Sequence, residues 1–220
     1  FSSVFTLTSH DPYNIPDQYT NVFKGGHLPI YKSVQYTDHA LRNFFKSASE
    51  KEWFKNTVFI ITADHPSHSV NEYYYAPTGK FEIPLMIYAP GLIQAGIRED
   101  ITASHPDIMS TILSLAGVKE KFFSFGSSLL DSSKRTSINV SDGLPQLIDY
   151  PYCIRLYPDG SVKMYVQPKY TPNTKIRWQL TSEELKLRTE LERSLKMKLQ
   201  LFFRSLTDNQ FNTEIKPGTQ

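Results

Sequence analysis

The chain has 220 residues, enough for one large domain or a domain with a small appendage, and 40% of them are hydrophobic against 21% charged. Its 24 basic and 22 acidic residues leave a formal charge of +2 with no basic block or arginine-rich helix, which argues against nucleic acid as a partner. The lone cysteine, Cys153, excludes an internal disulfide and a cysteine-based zinc cluster.

In chain order, Phe1 to Thr8 is apolar and β-branched, and a buried strand is expected over residues 3–9. Because the chain opens directly on such a segment, we expect it to be the C-terminal part of something longer. Any membrane-spanning helices would then lie upstream, since no apolar run here reaches the ~18–20 residues needed to span. Residues 10–28 form a loop rich in Pro, Gly and Asn. Tyr31, Val34, Leu41, Phe44 and Phe45 recur near helical spacing, which predicts a helix over 29–48.

Residues 57–63 predict a strand, so continuously apolar that a parallel sheet covered on both faces is expected. A loop follows over 66–80, broken by Pro77 and Gly79. Residues 83–89 predict a second strand, closed by Pro90-Gly91. Residues 106–116 predict a helix that opens on Pro106 and stops at Gly117, with Asp107 favoured at its positive N-terminal end. Beyond about residue 120 the pattern changes. Two or three short strands are expected over 138–167, around the turn Pro158-Asp159-Gly160. Thr181-Ser182-Glu183-Glu184 fits a capping box, followed by a stripe of Leu187, Leu191, Leu195, Leu199, Phe202 and Leu206, which predicts a helix over 182–206. The order of elements points to an α/β core over 1–135 and a small antiparallel sheet with one long helix over 136–220.

The chemistry concentrates where the strand 57–63 ends, at Asp64-His65-Pro66. In open α/β sheets, ligands collect beyond the carboxyl ends of strands. A carboxylate oxygen beside an imidazole nitrogen suits Zn²⁺ or Mn²⁺, provided the chain turns so that both reach one ion; Pro66 favours such a turn. The plain alternative makes Asp64 a loop cap and His65 an ordinary polar exit from the sheet. A second Asp-His pair, Asp38-His39, falls inside a predicted helix and is read as structural, because neighbours on a helix do not face each other. All six histidines lie within the first 105 residues. His10 follows the first predicted strand, so His10 and the Asp64-His65 pair are expected to line one cleft. His68 and Ser69, on the next loop, are either substrate contacts or plain loop polars. Tyr73-Tyr74-Tyr75 either lines a groove for a glycan or lipid head group or packs its loop onto the sheet.

Several segments together resemble one family. FTLTSHDPY (5–13), YTDHALRNFF (36–45), TVFIITADH (57–65), FEIPLMIYAPG (81–91), SHPDIMSTILSLAGV (104–118) and FGSSLL (125–130) are similar, in order and spacing, to motifs of lipoteichoic acid synthase-like proteins. These belong to the sulfatase-like branch of the alkaline phosphatase superfamily. The resemblance covers about residues 1–131 and implies part of a three-layer α/β/α sandwich with a small C-terminal α+β subdomain. It also implies a phosphoglycerol or related head-group transferase working through a covalent phospho-threonine, with one divalent metal (Mn²⁺, Zn²⁺ or Mg²⁺) held by a Glu, the threonine and an Asp-His pair.

Asp64 and His65 match that pair. His10 matches a cleft histidine that holds the phosphate or assists the leaving group, and His68 or Ser69 matches a head-group contact. The implied substrate is an anionic phospholipid or glycan head group, or a sulfate or phosphate ester. The implied location is extracytoplasmic, on a membrane anchor upstream. Two departures matter. Pro66 stands where the family commonly has Gly, and the Glu and the nucleophile would come from a region this chain does not hold. The chain alone is therefore expected to be inactive, to bind metal poorly or not at all, and to self-associate through uncovered apolar surface. The rival readings are a sulfatase or phosphodiesterase of the same superfamily, and a non-catalytic binding domain with a relic metal site.

Overall fold

A computed structural model describes residues 1–99, 101–131, 135–166, 175–176 and 179–209. The chain divides into two compact units: Phe1–Asn71 with Glu82–Gly96, and Glu72–Phe81 with Ile97–Gln220. This division runs differently from the 1–135 and 136–220 boundary expected above, and residues 210–220 of that second segment lie outside the described residues.

The first unit is built on helix α1 (Ile30–Ala48) and strands β1 (Phe59–Thr62) and β2 (Leu85–Tyr88). Phe45 leaves the last turns of α1 to meet Phe59 of β1 with ring centroids 5.1 Å apart, and Phe54 and Tyr88 close the cluster around them. This cluster is why the apolar stripe of α1 docks where it does. The pair Asp38-His39 is engaged within α1: Arg42 meets Asp38 at 3.4 Å, and Asn43 Nδ2 donates to His39 Nε2 at 2.9 Å.

Two expectations change here. β1 and β2 run antiparallel, with Phe59 opposite Tyr88 and Thr62 opposite Leu85, not parallel. Their residues are at best half-buried, and among the described residues they pair only with each other. A continuous apolar run signals coverage on both faces, but it carries no information about strand direction. Residues 1–8 form no strand; Val4 is 87% and Leu7 71% exposed. Strand propensity produces a strand only where a ladder partner accepts its backbone groups.

The second unit holds helix α2 (His105–Leu115), strands β3 (Ser137–Ser141), β4 (Leu144–Asp149), β5 (Tyr152–Leu156), β6 (Val162–Val166) and β7 (Lys175–Ile176), and helix α3 (Ser182–Thr207). The strands form an antiparallel meander in sequence order. The expected two or three strands over 138–167 are thus four, β3 to β6, and residue 167 lies outside the described residues. Asp142 and Gly143, at φ 55° and 76°, make the two-residue turn between β3 and β4, since both positions need the left-handed region.

Leu147, Ile154, Val162 and Met164 of the sheet pack with Leu191 and Leu195 of α3. Leu187 and Leu199 flank that core, whereas Phe202 and Leu206 at the end of the stripe stay exposed. Thr181 Oγ1 accepts the Glu184 N–H, and Glu184 returns the bond to the Thr181 N–H, so α3 starts at its expected capping box. Asp107 does more than favour the start of α2. Its Oδ2 accepts the Ser104 N–H at 2.8 Å and its Oδ1 accepts the Ser127 N–H at 2.8 Å, tying the stretch after the helix back to its first turn.

Candidate functional site

The end of β1 carries the candidate site. Thr62, its last residue, donates its hydroxyl to Pro84 O at 2.9 Å, which joins the exit of β1 to the entry of β2. The chain then turns out of the sheet. His65 N–H donates to Asp64 Oδ1 at 2.9 Å, and the His65 ring nitrogen Nδ1 lies 2.8 Å from Pro66 O. A carbonyl can only accept, so Nδ1 carries the proton. Nε2 is therefore the nitrogen left to face outward, and it sits 3.5 Å from Asp64 Oδ2. Side-chain exposures of 73% for His65 and 54% for Asp64 leave both groups open to solvent.

This arrangement fits two positions of a divalent-cation shell. Two donors held about 2.0–2.1 Å from one ion at a tetrahedral angle lie about 3.3 Å apart, close to the spacing found. A histidine that ligates through one nitrogen usually donates the other N–H to a carbonyl or carboxylate, as His65 does to Pro66. The contact is too long for a strong charge-assisted hydrogen bond, and as an exposed ion pair it would contribute little. Among the described residues, no group of three or more His, Cys, Asp or Glu side chains gathers that could hold an ion, so the pair stands without the further side chains that a complete shell needs.

His10 occupies a turn and not a strand end. Its N–H donates to Leu7 O at 3.0 Å and its carbonyl accepts from Tyr13 N at 2.7 Å. Thr8 and Thr37 hydroxyls, 3.0 Å apart, tie this turn to α1. His10 Nδ1 lies 2.9 Å from Asp11 O, so it too carries the proton on Nδ1 and presents Nε2. The same device, an imidazole fixed on the carbonyl of the next residue, thus occurs at His10 and at His65. Neither a hydrogen bond nor an ion pair joins His10 to Asp64 or His65. His68 is exposed, and Ser69, half-buried, accepts the Asn71 N–H on its hydroxyl at 3.0 Å.

Some contributions were not legible in the sequence. Thr62 reads as one more β-branched strand residue, and only the register with β2 shows its hydroxyl stitching the site's base. Tyr73, of the aromatic run, is buried in packing, while Tyr75 is exposed.

A family model described as Sulfatase matches residues 1–118, more than half of the chain. The chain belongs to the sulfatase family. Lipoteichoic acid synthase 1 of Bacillus subtilis (strain 168) is 26% identical to this sulfatase-family chain, over 65% of the chain and 25% of that protein. Arylsulfatase K of Danio rerio is 28% identical, over 52% of the chain and 23% of that protein. The chain therefore spans about a quarter of the length of the curated relatives it matches. A crystal structure of a protein in the alkaline phosphatase superfamily from Vibrio parahaemolyticus superposes with a TM-score of 0.75 at 23% identity, covering 96% of this chain and 50% of that one. That likeness shows the fold alone, an α/β fold shared with that protein. Among the described residues, no helix is long and apolar enough to cross a membrane.

Proposed function

We propose that this sulfatase-family chain is the C-terminal part of a metal-dependent phosphoglycerol, or related head-group, transferase. The observation that carries the reading is the convergence of Asp64 Oδ2 and His65 Nε2, with His65 locked by Pro66 into the tautomer that leaves Nε2 free to ligate. The similarity to lipoteichoic acid synthase 1 favours a phosphoglycerol-type head group.

In this reading Asp64 and His65 would hold one divalent ion (Mn²⁺, Zn²⁺ or Mg²⁺), together with a Glu and a threonine from a region outside this chain. Such an ion supplies Lewis-acid polarisation of the phosphoryl oxygen and of the nucleophile. The threonine oxygen forms its bond to phosphorus as the bond from phosphorus to the leaving oxygen breaks. The chain's own residues then bind and orient. His10, fixed at Nδ1, offers Nε2 to a phosphoryl oxygen or delivers a proton to the leaving oxygen. His68 and Ser69 receive the head group on the turn beyond the metal pair. With half the ligands absent, the chain alone is inactive and binds metal weakly. The intact protein acts outside the cytoplasmic membrane, on an upstream anchor, against an anionic phospholipid or glycan head group.

Transfer of glycerol phosphate from phosphatidylglycerol vesicles by the full-length protein tests this reading. Asp64→Ala and His65→Ala should each reduce kcat/KM by at least the ~10–100-fold typical of losing even a supporting partner of a metal ligand. Unchanged turnover in both variants would refute the reading. Similarity to arylsulfatase K favours a second one, hydrolysis of a sulfate or phosphate ester. Release of free sulfate from an aryl sulfate, without transfer, would select it. Inactivity of the full-length protein against both ester classes would leave a binding domain with a relic metal pair.

A further inference from the structure

Helix α3 is polarised along its length. Its first half, residues 182–192, holds four glutamates and two cations. Its second half, residues 193–207, holds the four cations Arg193, Lys196, Lys198 and Arg204 and no carboxylate. The helix dipole favours cations only within the last turn, so it accounts for Arg204 and not for the other three. Leu191 and Leu195 pack the helix onto the meander, with Leu199 flanking that core. On the opposite side, at steps of four, four and three, stand Arg193, Met197, Leu201 and Arg204, all exposed. Lys196 and Phe203, seven apart, share one edge of this face and are exposed as well. Among the described residues of the acidic half, Leu185 is the one large apolar side chain exposed. Lys196 meets Glu192 at 2.6 Å and Arg204 meets Asp208 at 3.5 Å. Exposed pairs of this kind are weak, so both cations can turn to a denser array of negative charge.

Apolar side chains interleaved with cations on one helix face suit the surface of an anionic bilayer. The Phe, Leu and Met side chains enter the acyl boundary, while Lys and Arg extend their apolar stems so that the charge reaches the phosphates. A second copy of the chain fits less well. Paired in parallel, it would set four cations against four. Paired antiparallel, it would set Met197 and Leu201 against the glutamate half, which exposes little apolar surface to bury them. We propose that the outer face of α3, from Arg193 to Arg204, is a docking surface for an anionic phospholipid bilayer, on which the helix lies with its opposite side on the meander. It lies on the bilayer and does not cross it: among the described residues, no helix is long and apolar enough to span. Docking of this kind needs neither the metal pair nor transferase activity.

Vesicles of phosphatidylserine and phosphatidylcholine in equal parts test it, because their anion is not the phosphatidylglycerol of the transfer assay above. The 220-residue chain should float with these vesicles, bind vesicles of phosphatidylcholine alone far more weakly, and be released as salt rises. Arg193→Gln and Arg204→Gln should each weaken partitioning by about fivefold. Met197→Ser with Leu201→Ser, which leaves the charge unchanged, should weaken it by about tenfold. Lys163→Gln is the control for net charge. It lies between Val162 and Met164, which face α3, so its side chain stands on the far side of the sheet, and the change should leave binding as it is. A bimane label at Leu201→Cys attaches selectively, since the native Cys153 is fully buried, and its emission should shift to the blue when the anionic vesicles are added. No binding to those vesicles, an equal loss in Lys163→Gln, or an unmoved bimane emission overturns the proposal. So does an oligomer in light scattering that Met197→Ser with Leu201→Ser dissolves while vesicle binding persists, since the face would then belong to a second copy of the chain.

Discussion

At the scale of single residues, the protein separates reactive groups from structural ones by burial and by the partner each group is given. Cys153, in β5, is fully buried, and burial pushes its thiol up to about 12, against a smaller opposing effect of Arg155. The thiolate is the reactive form, so native protein should resist iodoacetamide at pH 8 and react only as fast as it unfolds. Rapid labelling under native conditions, followed by mass spectrometry, would contradict this. Asp142 shows the opposite case. The hydrogen bond from Lys80, supported by Ser141 and Arg155, holds its carboxyl down from 3.8 to about 2. A carboxyl lowered in the folded state contributes stability that is present above its unfolded value and is lost as pH falls through the folded one. The stability difference between wild type and Asp142→Asn should thus be constant above about pH 4 and shrink as pH falls from 3.8 towards 2. Urea titrations of both proteins across that range measure it; a difference flat down to pH 2 would show that the Lys80 bond contributes nothing.

At the scale of elements, the three α-helices among the described residues are legible because each carries its own signals. α1 has its stripe, α2 has Pro106 and Gly117 at its ends, and α3 has a capping box ahead of a leucine row. A helix satisfies most of its backbone within itself, so local sequence suffices to place it. Strands depend on partners distant in sequence, and there the reading was weaker. β1 and β2 are legible as elements but not in their antiparallel pairing, and Phe1–Thr8 has a strand's composition without a partner strand among the described residues. The candidate site divides in the same way. Asp64 and His65 are adjacent, so their placement at a strand exit was readable, whereas the bond from Lys80 to Asp142 spans a separation of 62 residues and leaves no local trace. The leucine stripe of α3 also reaches further in sequence than in burial. Leu195→Ala, at a fully buried position, should cost about 2–5 kcal/mol, and Leu206→Ala, at an exposed one, within about 0.5 kcal/mol. Denaturant midpoints at unchanged slope decide between them. Gly126 offers a sharper case: a Cβ there would lie 2.3 Å from the Pro106 carbonyl carbon and 2.4 Å from the Asp107 nitrogen, backbone atoms at the capped start of α2 that have little room to yield. Gly126→Ala should therefore destabilise by about 1–3 kcal/mol, through overpacking and not through any change in the sheet.

At the scale of the whole molecule, what matters is the apolar surface left uncovered. Phe1, Val4, Phe5 and Leu7 project from a segment without a ladder, and Val58, Met86 and Tyr88 are exposed at the two-stranded sheet. Scattered apolar residues are normal on a protein surface, but a strand-like apolar segment and a two-stranded sheet with no further strand beside it among the described residues are templates for pairing. The superposition covers 96% of this chain and 50% of the Vibrio parahaemolyticus protein, so the fold it matches has about as much structure again outside the matched part. The expected outcome follows directly. In size-exclusion chromatography with light scattering, the chain alone should run larger than its 25.3 kDa and grow with concentration. Val4→Lys with Leu7→Lys should reduce self-association, because both side chains belong to the exposed apolar segment. A monomer that persists at high concentration, or self-association indifferent to the two lysines, would mean that the exposed segment is no interface and that its strand-like composition has another cause.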